Sequence, residues 1–396
     1  MTKLNKILNK PLEKISKKIF QKTKYGNLKV IFPSERIEYF NSDNKNFNAD
    51  IKINNFSMIS KLMKKGSVGF AESYMDGDFS TNNLTNLLFL AEKNINNYYD
   101  YKRGKFIYKF IPKLLHYIKK NTRSGSKQNI SYHYDLGNKF YEQWLDKSMT
   151  YSSGLFDFPY EDLSKAQYNK YKKMIEPMNL NNDSSLLEIG CGWGGFATFI
   201  AKNFGSKIDA ITNSKEQFEY TSNKIKNEGL NEKVKVQLKD YRDINNKYDY
   251  VFSIEMFEAV GQKFWPVFFD KIKRSLKNNG LATLQIITID EKKREYYQKN
   301  PDFIQQYIFP GGILPSKKQL YQITSTLDLK LDEIINFGNS YANTLKLWNI
   351  QFQNSWEQIS KQGFSLRFKR MWEYYFAYCE AGFKAKSIDV SHFLLK

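Results

Sequence analysis

The residues best suited to hold a ligand are six in a row, Gly190-Cys191-Gly192-Trp193-Gly194-Gly195. They follow Ser184-Ser185-Leu186-Leu187-Glu188-Ile189, which reads as a strand, and precede a run that reads as a helix. Glycines at 190, 192 and 194 permit a tight turn and a close approach of ligand to backbone. The N–H groups of such a loop and of the helix start can receive an anionic group. Gly195 also satisfies dinucleotide spacing, so a NAD-type site and a purely structural turn stand as alternatives. The next strand ends in Thr212-Asn213-Ser214, with no acid to clamp a ribose. Other chemistry is scarce. Two cysteines, Cys191 and Cys379, argue against a disulfide scaffold and fit a reducing compartment. With only His116, His133 and His392, no metal site is expected.

The elements around the loop alternate. Strands are expected at 184–189, 208–212, 234–238, 248–254 and 281–289, with helices over 194–203, 215–227 and 265–276. This βαβ repetition implies an α/β fold with a parallel sheet covered on both faces. Two more strands are expected at 330–337 and 388–395, with a long aromatic helical segment over 344–384 between them. Upstream, β-like runs at 28–32 and 49–53 and a helix at 84–90 suggest a smaller α+β module. A polar stretch at 121–129 (NTRSGSKQN) divides the chain into residues 1–127 and 128–396.

The chain has 396 residues, with 61 Lys+Arg against 41 Asp+Glu, a formal net charge of +20. Its 41% hydrophobic content excludes a wholly disordered chain. No apolar run reaches the roughly 18 residues that would span a bilayer. The charge is uneven: residues 1–130 carry +15 and the remainder +5. Met1 to Lys24 holds eight Lys and one Glu; Tyr101 to Lys127 holds nine Lys+Arg and no acid. In the first stretch Leu4, Ile7, Leu8, Leu12, Ile15 and Ile19 fall mostly at helical spacing, and Pro11 is expected to divide it into two short helices. A basic amphipathic helix reads as a membrane-surface element, each Lys worth about 1 kcal/mol near an anionic leaflet. The alternative is a helix packed on its own domain, and nucleic acid is the other polyanion to weigh. No apolar signal segment follows the basic start, so a cytoplasmic place, peripheral on the inner face of the membrane, is expected.

The spacing Glu188-x-Gly190-x-Gly192-x-Gly194 resembles the first motif of S-adenosylmethionine-dependent methyltransferases, with Glu188 placed as an acid near the cofactor amino group. Six further segments extend the resemblance: Ser131-Tyr132-His133-Tyr134-Asp135-Leu136-Gly137-Asn138, Met149-Thr150-Tyr151-Ser152-Ser153-Gly154, Thr212 to Gln217, Asp240-Tyr241-Arg242-Asp243, Ser253-Ile254-Glu255-Met256-Phe257-Glu258-Ala259-Val260-Gly261, and Tyr307 to Gly312. Together they resemble the cyclopropane-fatty-acyl-phospholipid synthase family, strongly over 131–396. Glu72-Ser73-Tyr74-Met75-Asp76-Gly77-Asp78 looks like that family's N-terminal lipid-engaging domain. The resemblance implies a Rossmann-like class I methyltransferase sheet with helical insertions. It also implies S-adenosylmethionine contacts at Tyr151, Ser152, Glu188, Gly190, Gly192, Gly194, Thr212, Gln217, Tyr241 and Arg242. Gln217 would meet ribose hydroxyls and Tyr241 would line the adenine pocket.

The implied reaction delivers a methyl carbon to the cis double bond of an acyl chain in an anionic phospholipid membrane. The alkene is a weak nucleophile that gains from positioning and dehydration. The carbocation formed can be faced by aromatic rings, at about 0.5–2 kcal/mol each; Phe257, Tyr307, Phe309 and Tyr341 are candidates. Loss of a proton then closes a cyclopropane. Another course of proton loss leaves a methylene branch, which reduction turns into a methyl branch. In the family a bicarbonate is the implied base, in a cradle matching Ser153, Glu258, Gln285, Ile287 and Tyr341. Here Ser153 stands where Cys is frequent, Ala259 follows Glu258 where His is usual, and Gln285 replaces a common His. A neutral amide in place of an imidazole loses a charge-assisted bond, which predicts weaker hold on bicarbonate or none. Cys379 resembles a cysteine the family often carries near its C-terminus, with packing as its simplest role. The aromatic stretches 296–320 and 348–383 would line an acyl tunnel, and the family's dimers imply a homodimer. Two rivals remain. A nucleic-acid base methyltransferase usually needs Asn/Asp-Pro-Pro-aromatic after the fourth strand, and 253–261 contains no proline, so no nucleic-acid partner is expected. A non-catalytic lipid-binding protein would not need Glu258, Tyr341 and the whole glycine set.

Overall fold

The computed structural model describes residues 3–41, 47–99, 136–158 and 160–396. The basic run 101–127, the polar stretch 121–129 and the first part of the 131–138 motif lie outside them. The chain forms two compact units, residues 1–114 with 360–385, and residues 115–359 with 386–396.

In the first unit, β1 (Asn27–Ile31), β2 (Ile37–Asn41), β3 (Asn48–Ile53) and β4 (Phe79–Ser80) form a sheet in the order β2-β1-β3-β4. The apolar runs at 28–32 and 49–53 become β1 and β3, paired in parallel. β2 carries no apolar stripe, since its residues are exposed or half-buried in alternation, and the sequence gives no sign of it. Leu28, Val30, Ile51 and Ile53 pack against Leu87 and Leu90 of helix Leu84–Lys93. Lys3–Phe20 is one helix with Pro11 inside it, not two. Leu12, Ile15 and Phe20 pack on the sheet's core, which offsets the backbone hydrogen bond that proline removes. Helix Leu366–Lys384 belongs to this unit, although in chain order it follows the expected boundary. Its Glu380 accepts from Thr85 Oγ1 at 2.8 Å, and its Glu373 from the Tyr74 hydroxyl at 2.9 Å. The aromatic segment 344–384 is therefore not a single helix. It is broken after Asn354 and again before Leu366, where Gly363 has φ of 96°.

The second unit holds β5 (Ser185–Ile189), β6 (Lys207–Thr212), β7 (Val234–Leu238), β8 (Tyr248–Ile254), β9 (Leu276–Ile289), β10 (Leu331–Asn336) and β11 (Ile388–Leu395). Their order is β10-β11-β9-β8-β5-β6-β7. β5 to β9 are parallel, as the βαβ alternation predicts. That alternation ends at β9, and β11 runs antiparallel to both its neighbours, so the sheet is mixed. Side chains alternate between faces. Leu186 joins the core built with Phe196, Ile200 and Phe252, while Leu187 and Ile189 join the opposite core built with Phe268, Phe269 and Ile272. Chain order reverses between β5 and β8. In such sheets that reversal opens a crevice at the carboxyl ends of the strands.

Candidate active site

The glycine loop leaves β5 at this crevice. Gly190 and Gly194 have φ of 84° and 77°. A Cβ on Gly190 would lie 2.8 Å from Met256 Cγ, and one on Gly194 would lie 2.5 Å from Thr221 Cγ2. Only glycine suits either place. The Gly190 and Cys191 amides both donate to Ile211 O at 3.0 Å. They tie the loop to β6, so a ligand anion must find its donors further along. A cavity of about 150 Å³ lies against the loop. Tyr151, Ser152, Glu188, Gly190, Gly192, Thr212, Gln217, Tyr241 and Arg242 line it. Gly194 does not; it is the N-cap of helix Gly195–Asn203.

Several linings are fixed by their neighbours. Thr212 Oγ1 donates to Gln217 Oε1 at 2.9 Å. Asp240 takes Arg242 Nε and Nη2 at 2.8 and 2.6 Å. Glu188 is buried, and one of its carboxylate oxygens has no hydrogen-bond partner. Burial pushes its pKa up to about 8, against the pull of Lys170. A buried acceptor without a donor calls for one from a ligand, and the amino group of S-adenosylmethionine fits that need.

Across the crevice, the first residue after β8 is Glu255. It has φ of 49°, a left-handed conformation that costs a non-glycine residue about 1–2 kcal/mol. Its N–H donates to Gln285 O at 2.9 Å, and its side chain lines the cofactor cavity. Its Oε1 accepts from Ser153 N at 2.9 Å and Gln285 Nε2 at 2.6 Å, and its Oε2 from the Tyr341 hydroxyl at 2.5 Å. Behind it, the Gln285 Oε1 meets His392 Nε2 at 3.0 Å on the neighbouring strand. Because the Gln285 NH2 is spent on Glu255, His392 must be the donor there. Its Nδ1 is buried without a partner, and burial depresses its pKa to about 3, so the ring is neutral.

The expected catalytic residues thus separate. Ser153, Gln285 and Tyr341 converge on Glu255. Glu258 instead accepts from Ile287 N at 2.6 Å, and its second oxygen is buried without a partner. Cys379 is on helix Leu366–Lys384 of the first unit, half-buried, and does not line the cavity. Phe257 packs in the core against Trp265, Phe268 and Phe269, so it does not face the site as expected. Tyr151 lies 5.3 Å from Trp348 and 6.3 Å from Phe309 between ring centroids. Two residues escape the sequence reading. Glu255 stands inside a quoted motif, and its signal is a carboxylate at a strand's carboxyl end facing a glycine loop. Lys170 has no signal beyond being one lysine of a helix. It is fully buried and donates to Ser152 Oγ at 2.7 Å; burial depresses its pKa to about 7, while Glu255, Asp146 and Glu188 hold it up.

The sequence profile described as mycolic acid cyclopropane synthetase matches residues 121–393. The chain belongs to that family. A second profile, a domain of unknown function, matches residues 15–100. Among curated relatives of this cyclopropane synthetase family member, the cyclopropane-fatty-acyl-phospholipid synthase of Escherichia coli is 34% identical over 357 residues, 86% of each chain. The tuberculostearic acid methyltransferase UfaA1 of Mycobacterium tuberculosis is 32% identical over 354 residues, 85% of this chain and 80% of its own. The crystal structure of mycolic acid cyclopropane synthase CmaA1 with SAH and CTAB superposes with a TM-score of 0.62 at 25% identity, covering 68% of this chain and 97% of that one. The class I methyltransferase fold expected from the sequence is thereby shown. For a bicarbonate the fit is poor. The Ser153 amide, the Gln285 amide and the Tyr341 hydroxyl already hold the chain's own Glu255 carboxylate.

Proposed function

We propose that this enzyme transfers the methyl carbon of S-adenosylmethionine to the cis double bond of an unsaturated phospholipid acyl chain and closes a cyclopropane ring there. One observation carries this reading: the cavity of the glycine loop opens directly onto a hydrogen-bonded carboxylate at the end of β8. The cofactor, when bound, supplies an electrophilic methyl group. The residues do the rest. Glu188 offers its orphaned oxygen to the cofactor amine. Gln217 and Tyr241 orient the nucleoside. Tyr151, backed by Trp348 and Phe309, presents an aromatic ring to the cavity that would exclude water and face positive charge on the acyl chain.

A methylene- or methyl-branched product is the second reading, favoured by Gln285 and Ala259 where an imidazole is usual in the family. We assign the basic first unit to holding the enzyme on anionic phospholipid at the inner face of the membrane; a homodimer is its proposed assembly. No described helix is long and apolar enough to cross a membrane.

The test uses the purified chain, vesicles of cis-unsaturated phosphatidylglycerol and S-adenosylmethionine labelled in its methyl carbon. Mass spectrometry of the acyl chains should show gain of one labelled CH2, and proton NMR should show cyclopropyl signals at high field. Vinylidene signals instead would establish the branched product. Unaltered lipids would refute both.

A further inference from the structure

The carboxylate of Glu255 has the surroundings of a reactive group. It is half-buried, it directly follows the crevice end of β8, and it holds a left-handed backbone that glycine would occupy without cost. Strain of this kind persists where the surrounding structure over-determines it. Here the Glu255 N–H is fixed by Gln285 O, and both carboxylate oxygens are fixed by donors from three separate elements. Gln285 is itself held by His392. An ionised carboxylate has about four lone-pair sites. Oε1 uses two and Oε2 one, so Oε2 keeps a site for a proton.

Charge around the group supports its anionic form. From the helix Leu163–Ile175, Lys170 attracts it; on its own segment Glu258 repels it only when ionised, above about pH 8; Ser153, Gln285 and Tyr341 stabilise it by hydrogen bonds. Burial outweighs these, so its pKa is raised, which strengthens it as a proton acceptor.

We propose that Glu255 is the general base of the reaction, taking a proton directly from the newly attached methyl carbon, so that this enzyme needs no bicarbonate. This rests on the alkylation proposed above. The π pair of the alkene forms the new C–C bond as the S–C bond breaks and its electrons remain on sulfur. The adjacent chain carbon becomes cationic. Glu255 Oε2 then accepts a proton from the new methyl group, and the C–H pair forms the third bond of the ring. The neutral Glu255 carboxyl afterwards returns its proton to solvent.

Three measurements test this. Wild-type turnover in carbonate-free buffer under argon should change less than twofold on adding bicarbonate, and 13C-bicarbonate should show no binding by NMR. Stimulation above twofold, or saturable binding that raises turnover, would overturn the proposal. Glu255→Gln keeps the shape and should lower turnover about 100-fold or more, the scale of general-base catalysis. Circular dichroism and thermal unfolding matching the wild type show whether the variant folds. A folded variant losing less than tenfold would overturn the assignment. Should Glu255→Gln fail to fold, the wild-type bicarbonate measurements decide alone. A wild-type enzyme that leaves lipids unaltered refutes the alkylation itself, a different failure from an active enzyme indifferent to Glu255.

Discussion

Two carboxylates, Glu255 and Glu258, leave the end of β8 within three residues of each other, and their surroundings set them apart. Glu255 receives three donors; Glu258 receives the Ile287 amide on one oxygen, and its other oxygen is buried without a partner. Burial, and then the charge of Glu255, push the Glu258 pKa up to about 8. Below that pH Glu258 is mostly a neutral acid, and a glutamine reproduces a neutral group that still accepts from Ile287. Glu258→Gln should therefore keep turnover within about tenfold at pH 7. Above pH 8 the wild type gains a negative charge on Glu258 close to Glu255, and its rate at saturating cofactor and lipid should change there. The variant lacks the titrating group and should lose that limb. A pH–rate profile from 6 to 9.5 checks this; an unchanged limb near 8 in the variant would reject it. The sequence placed Glu258 in a motif by resemblance, but which of two nearby carboxylates collects the donors depends on where Ser153 and Tyr341 arrive. That is set by long-range packing and is not written in local spacing.

At the scale of elements, the glycine loop and β5 to β8 were legible because periodicity and turn chemistry coincide there. Leu186 and Leu187 alternate between two cores, and Gly190 and Gly194 occupy backbone only glycine suits. β2 was illegible because it buries too little. Helix Leu163–Ile175 has no chemical signal in the sequence, yet it carries a fully buried lysine. Its Lys170 lies among Glu255, Asp146 and Glu188, with its pKa brought down to about 7 by burial. Below pH 7 the lysine is charged and favours ionised Glu255; above pH 7 it turns neutral and that help fades. Lys170→Met should thus lower turnover most at pH 6 to 6.5, with the two enzymes converging above pH 8. The ratio of their rates across pH is the measurement. A deficit that is constant with pH would mean that Lys170 acts through packing and its bond to Ser152 alone.

For the whole molecule, the question is how a chain of net charge +20 meets its lipid. In the half of helix Lys3–Phe20 whose side chains are described, Leu12, Ile15 and Phe20 pack on the first unit's sheet, and Ser16 is buried. That apolar face is already used, so attachment through it should be electrostatic, not by insertion. Lys14 and Lys18 are exposed, whereas Lys17 pairs with Glu38 at 2.7 Å. Removing residues 1–24 would uncover the core, so replacing charge is the cleaner experiment. At about 1 kcal/mol for each lysine near an anionic leaflet, Lys14→Gln with Lys18→Gln should weaken binding to phosphatidylglycerol vesicles about thirtyfold at low salt. At about 1 M salt the screening length falls to about 3 Å, and the difference should nearly vanish. Vesicle co-sedimentation at both salts, with uncharged phosphatidylcholine vesicles as control, reads this directly. Equal losses at low and high salt would show that the two lysines act on the fold of the helix, not on the membrane.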